Sequence, residues 1–133
     1  MRSAPHVPKT LKQMLTVISS GDSAQLKLGL RIIGARSKSL GAGSFREAFL
    51  VTYGKRKYVV KGRQVETLNK RPPKDSGILH APTTRVRGWD VQHYYRPMRS
   101  GTRRESELYR IEGDYKAANS GWDTDGTLVA FDW

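Results

Sequence analysis

The 133-residue chain has the length of a single domain, and no apolar run approaches the roughly 18 residues of a membrane-spanning helix. Its 24 Lys+Arg against 12 Asp+Glu give a net charge of +12, a balance that favours polyanionic partners: nucleic acid, nucleotide phosphates or an acidic protein. The absence of cysteine excludes disulfides and thiolate metal sites and fits a reducing compartment.

Residues 1–8 hold Pro5 and Pro8 and predict an irregular arm, with no apolar core of a signal peptide behind Met1-Arg2-Ser3; a cytoplasmic location is expected. Thr10 is placed to cap a helix whose Leu11, Met14, Leu15 and Ile18 share one face. Ser19–Ser23 interrupts it, and a second helix is expected from about Ala24 to Ile33, stopped by Gly34. From Ser39 the period changes to two. Ala48, Leu50 and Thr52 alternate with Phe49, Val51 and Tyr53; Tyr53–Arg56 reads as a turn and Lys57–Lys61 as the return strand. Residues 62–82 are turn-rich, with at most a short helix near Gln64–Leu68. Thr83–Arg87 and Asp90–Tyr95 predict a second hairpin turning at Gly88-Trp89, and Arg96-Pro97 ends it. A basic loop over 98–104 and two helical turns over Glu105–Ile111 follow. The last expected elements are strands near Ser120–Trp122 and Thr127–Phe131, joined by Asp123-Thr124-Asp125-Gly126.

Charge divides along the chain: residues 1–111 sum to +16 and residues 112–133 to −4. Three constellations carry chemistry. Gly41-Ala42-Gly43-Ser44-Phe45 leaves backbone N–H groups free to approach phosphate oxygens, because glycine has no Cβ in the way. It enters a hairpin whose second strand ends Val59-Val60-Lys61, where a lysine can reach back toward phosphates. In Gly113–Asn119, Asp114 precedes Asn119 by five residues. That spacing lets a carboxylate serve an acceptor hydroxyl while an amide oxygen holds a metal; Lys116 between them is placed to neutralise a transferred phosphoryl group. Asp132 ends an apolar strand 13 residues after Asn119, and with it forms an oxygen donor set suited to Mg²⁺. Asp123 and Asp125 read as turn residues.

These segments, in this order, resemble the signatures of the protein-kinase-like superfamily, with Gly113–Trp133 similar to the catalytic segment of aminoglycoside phosphotransferases and choline kinases. Val91–Pro97 looks like the hinge strand that cradles adenine in that superfamily, and the compact layout resembles kinase-like proteins of bacteriophages. The resemblance implies an α+β fold: a kinase-like small lobe, built as an antiparallel sheet with N-terminal helices, plus a catalytic-loop hairpin, lacking the full helical lobe. Residues 1–38 would form the arm and helices, 39–97 the glycine-loop sheet and 98–133 the catalytic and metal-binding hairpin, all in one compact domain. It implies Mg-ATP bound by Gly41, Gly43, Ser44, Phe45 and Lys61, metal ligands Asn119 and Asp132, and catalytic Asp114 and Lys116.

The sequence departs from the pattern at Arg46, where the third loop glycine stands in relatives, at Ala48 in place of a valine, and at Glu112 in place of a histidine. The acidic partner expected for Lys61 is not identified; Glu66 and Glu47 are the nearest candidates. The second reading is an inactive kinase-fold protein that docks on a host protein or nucleic acid, with Arg85, Arg87, Arg96, Arg99, Arg103 and Arg104 contacting phosphates and Trp89, Tyr94 and Tyr95 stacking. A third is a basic nucleic-acid-binding module whose kinase-like motifs are accidental. A homodimer is expected if the underside of a small lobe is apolar; a membrane partner is not.

Overall fold

A computed structural model of the chain describes residues 2–42, 47–62, 79–97 and 120–130. Two helices and nine strands lie in these residues, an α+β arrangement: α1 (Lys9–Val17), α2 (Ser23–Ile32), β1 (Arg36–Ala42), β2 (Glu47–Tyr53), β3 (Arg56–Gly62), β4 (Leu79–His80), β5 (Thr83–Val86), β6 (Trp89–His93), β7 (Arg96–Pro97), β8 (Ser120–Trp122) and β9 (Leu128–Ala130). They divide between two compact units, one holding residues 3–42, 47–62 and 82–94, the other residues 2, 79–81, 95–97 and 120–130.

The first unit is a five-stranded antiparallel sheet in the order β1-β2-β3-β6-β5 with both helices. Period-two alternation sorts its side chains. Phe49 and Val51 of β2, Tyr58 and Val60 of β3, Trp89 and Val91 of β6 and Val86 of β5 join Leu11, Met14, Leu15, Leu26 and Leu30 of the helices in one core. The four leucines of that core are fully buried, each worth about 1.5–3 kcal/mol relative to exposure. The helix period expected from Leu11, Met14 and Leu15 is present, but α1 starts earlier than Thr10. Pro8 is its N-cap and Thr10 its second residue, since proline's fixed φ suits a helix start and it lacks only an N–H that would go unbonded there.

The end of α2 shows why the sequence stops it at Gly34. Gly34 takes φ 78°, its N–H donates to the Arg31 carbonyl at 3.1 Å, and Ala35 N–H reaches back to the Leu30 carbonyl at 2.8 Å. This paired closure at a left-handed glycine satisfies carbonyls the helix leaves open. At its other end Asp22 accepts from Gln25 N–H at 3.1 Å, a side-chain N-cap.

Strand β1 begins three residues before the expected change of pattern. A bulge lies between Ser39 and Gly41, so Leu40 has no partner on β2. The extra residue breaks the alternation that would have revealed the strand. The β5–β6 turn is also one residue off the expectation: Arg87-Gly88 form it, and Trp89 belongs to β6 with its side chain in the core. This tip sits on the end of α1. The Arg87 guanidinium donates to the Thr16 carbonyl at 2.8 Å, and Trp89 Nε1–H donates to the Ile18 carbonyl at 2.9 Å. Arg87 carries φ 55°, a left-handed value that disfavours side chains. Glycine occupies position 88 for a different reason: a Cβ there would lie 2.7 Å from Ser20 Cβ.

The second unit contains the four-stranded sheet β4-β9-β8-β7. β8 and β9 form the hairpin expected at the end of the chain. Its turn is closed by Asp123 N–H to Thr127 O at 2.9 Å and Gly126 N–H to Asp123 O at 3.0 Å, with Gly126 at φ 83°. Asp123 also fixes Arg2, accepting from its backbone N–H at 2.9 Å and its Nε–H at 2.6 Å. The Arg2 guanidinium in turn lies 5.7 Å from the Tyr95 ring centre.

Among the described residues, no helix is long and apolar enough to cross a membrane.

Candidate functional site

Lys61 is the expected site residue that the structure describes in most detail. It lies on β3, fully buried at 0% exposure. Cross-strand register places it in one row that runs over all five strands of the first sheet: Gly41 opposite Ala48, Ala48 opposite Lys61, Lys61 opposite Asp90, and Asp90 opposite Arg85. Neighbours in such a row project from the same face, with Cβ atoms about 4.5–5.5 Å apart on directly opposed residues. The row therefore alternates charge, Lys61 then Asp90 then Arg85, starting two strands from the glycine that opens the 41–45 segment.

Burial differs along the row. Asp90 is 7% exposed, while the Arg85 side chain is largely exposed and its Nε sits 3.7 Å from Asp90 Oδ1. A buried ammonium and carboxylate must be compensated locally, because either left alone in a low-dielectric setting costs several kcal/mol. The next row on this face, Leu50-Val59-Gln92-Thr83, is apolar at its centre, and Gln92 Nε2 donates to Thr83 Oγ1 at 2.9 Å. Val59 and Ala48 flank Lys61 and are fully buried. Lys61 is thus flanked by apolar neighbours on its own face, with a carboxylate-bearing residue opposite it on β6.

The acidic residue that register sets opposite Lys61 is Asp90; of the two candidates the sequence suggested, Glu66 lies outside the described residues. Glu47 lies on the opposite face of the sheet, where its carboxylate accepts from Ser23 Oγ at 2.9 Å and Ser39 Oγ at 3.0 Å. It ties the first turn of α2 to β1 instead of reaching Lys61. Asp90 was missed because β6 pairs with β3 across more than twenty intervening residues, and cross-strand register over that separation leaves no local sequence signal.

Gly41 is placed at the end of β1 opposite Ala48. Gly43, Ser44, Phe45, Asp114, Lys116, Asn119 and Asp132 lie outside the described residues, as do Glu66, Arg99, Arg103 and Arg104. Among the described residues no group of three or more His, Cys, Asp or Glu side chains is arranged to hold a metal.

The aromatic residues suggested for base stacking divide in two. Trp89 and Tyr95 are buried, at 1% and 0% exposure, and offer no ring face to a base. Burial, with the Asp123 carboxylate adding to it, pushes the Tyr95 phenol up to about 12. Tyr94 is half-buried, and the Lys57 ammonium stands 5.6 Å from its ring centre. Arg85 and Arg87 are already engaged, with Asp90 and with the Thr16 carbonyl.

No family model matches the chain, and neither a curated protein nor a solved structure matches it.

Proposed function

We propose that the chain binds the phosphates of Mg-ATP at Lys61, beneath the Gly41–Phe45 segment, and transfers the terminal phosphoryl group to a hydroxyl acceptor as a minimal kinase-like protein. The observation that carries this reading is the row Gly41-Ala48-Lys61-Asp90. A buried lysine near the end of the second hairpin strand, two strands from the glycine segment, is the arrangement that phosphate binding beneath such a segment needs. Asp90 takes the part of the acidic residue that orients the lysine. In this reading backbone N–H groups of Gly43, Ser44 and Phe45 contact phosphate oxygens. Asp114 accepts or orients the acceptor hydroxyl, and Lys116 offsets charge on the transferred group. Asn119 and Asp132, an amide oxygen and a carboxylate, are the donor types Mg²⁺ prefers.

Calorimetric titration with Mg-ATP tests the first half of the reading. Saturable binding by the wild type is expected, with Lys61→Met weakening it about 10- to 100-fold, the range for losing a charged hydrogen bond. Absence of heat at millimolar Mg-ATP would refute it. Label transfer from γ-³²P-ATP to hydroxyl-bearing acceptors tests the second half. Binding without transfer would favour a kinase-fold protein that acts by docking.

A further inference from the structure

A second cationic feature lies at the other end of the same sheet. Arg36 opposes Thr52, and Thr52 opposes Lys57, so Arg36 and Lys57 share a row and a face. Lys38, two residues along β1, points the same way. Lys55 sits in the β2–β3 turn, where Gly54 at φ 61° provides the tight reversal, and Arg56 opens β3 directly after it. All five cations are exposed, and none forms an ion pair with another described residue. No carboxylate belongs to Arg36–Leu40 or Phe49–Lys61, the strand segments and turn that build this corner. Tyr94 stands beside it, its ring contacted by Lys57. Lys57 and Lys61 are separated by about 13 Å along β3, so the corner is distinct from the buried row.

We infer that this corner, formed by Arg36, Lys38, Lys55, Arg56 and Lys57, is a docking surface for the phosphate backbone of nucleic acid. Five like charges held close together repel one another, and a chain that carries them without interleaved carboxylates is suited to a partner whose own charges are closely repeated. A membrane surface is the weaker fit, because the exposed large apolar side chains among the described residues, Val17, Leu28 and Ile32, are on the helices and not at this corner. Contacts of this kind to phosphate position a partner without carrying sequence information. The inference does not depend on nucleotide binding at Lys61.

The test is fluorescence anisotropy with a labelled duplex and a labelled single strand, each titrated at salt from 50 to 200 mM. One variant carries Arg36→Gln, Lys38→Gln, Lys55→Gln and Arg56→Gln; a matched control carries Lys9→Gln, Lys12→Gln, Lys27→Gln and Arg31→Gln on the helices. Circular dichroism checks that both fold. Four phosphate contacts contribute about −3.6 to the slope of log K against log salt on duplex, or roughly a 150-fold loss of affinity over that range. The corner variant should lose this slope while the helix control keeps it. Equal losses in the two variants would show that net charge alone governs binding and overturn the inference. So would unchanged affinity in the corner variant, or polyglutamate or anionic vesicles binding more tightly than either oligonucleotide.

Discussion

Gly88→Ala is the most exacting substitution the first sheet offers. The added Cβ would lie 2.7 Å from Ser20 Cβ, 3.6 Å from Ser20 Oγ and 3.7 Å from Ser20 Cα. Carbon atoms rest at about 3.5–4.0 Å, so the two Cβ atoms must separate by about 1 Å. Neither can rotate away, because a Cβ is fixed by its backbone; the Arg87-Gly88 turn or the 19–21 segment has to move. Such overpacking costs about 1–3 kcal/mol. The same displacement strains Trp89 Nε1–H to Ile18 O and Arg87 to Thr16 O, and loss of either adds about 1 kcal/mol. The expected total is about 2–4 kcal/mol, or a fall in Tm of roughly 7–14 °C for a domain of this size. Thermal unfolding followed by circular dichroism reads it. A double-mutant cycle with Ser20→Gly isolates the contact, since removing the opposing Cβ should recover at least 1 kcal/mol of the loss. A Gly88→Ala variant within about 0.5 kcal/mol of wild type, or strict additivity in the cycle, would refute the reasoning.

The remaining predictions use the same readout. Gly29→Ala should be nearly neutral, within about 1 kcal/mol, because its Cβ meets only the movable ends of Met14 and Ile18 while the helix gains up to about 1 kcal/mol in propensity; Gly29→Leu should destabilise clearly. Trp89→Phe leaves the Ile18 carbonyl without its 2.9 Å donor and should cost about 1–2 kcal/mol beyond the lost ring volume, visible as an earlier urea midpoint. Burial opposes ionisation of Asp123, but hydrogen bonds from Arg2 and Thr124 outweigh it and hold the carboxyl below its ordinary value. A depressed folded-state pKa adds stability above the unfolded value, and that stability is lost as pH falls through the folded one. Asp123→Asn should therefore be less stable than wild type at neutral pH and converge with it as pH falls through the depressed folded-state value, as urea unfolding across pH would show.

Local pattern carried much of the fold. The α1 and α2 faces, the Gly34 stop, the β2–β3 hairpin and the β8–β9 hairpin all follow from spacing over fewer than twenty residues. What the sequence concealed has physical reasons. Leu40 adds a bulge residue to β1, which destroys the period-two signal from which the strand would have been read. Trp89 follows a turn glycine, yet burial of its ring draws it into β6. Strands β4 and β7 are two residues each, too short to carry any period, and exist through pairing with β9 and β8. The candidate site divides the same way. Lys61 was legible from the apolar run before it, whereas Asp90 depends on pairing between strands far apart in the chain.

That pairing has a consequence for synthesis. β1, β2 and β3 form a meander that can assemble as it leaves the ribosome, but the free edge of β3 is closed only by β6, which starts at Trp89. At about 5–20 residues per second the nascent sheet waits one to several seconds with that edge bare. The segment exposed is Tyr58-Val59-Val60, an apolar, β-branched run of the kind that recruits neighbouring chains. Lysines on either side, Lys57 and Lys61, are the charges that would keep it apart from other copies until its own partner strand arrives.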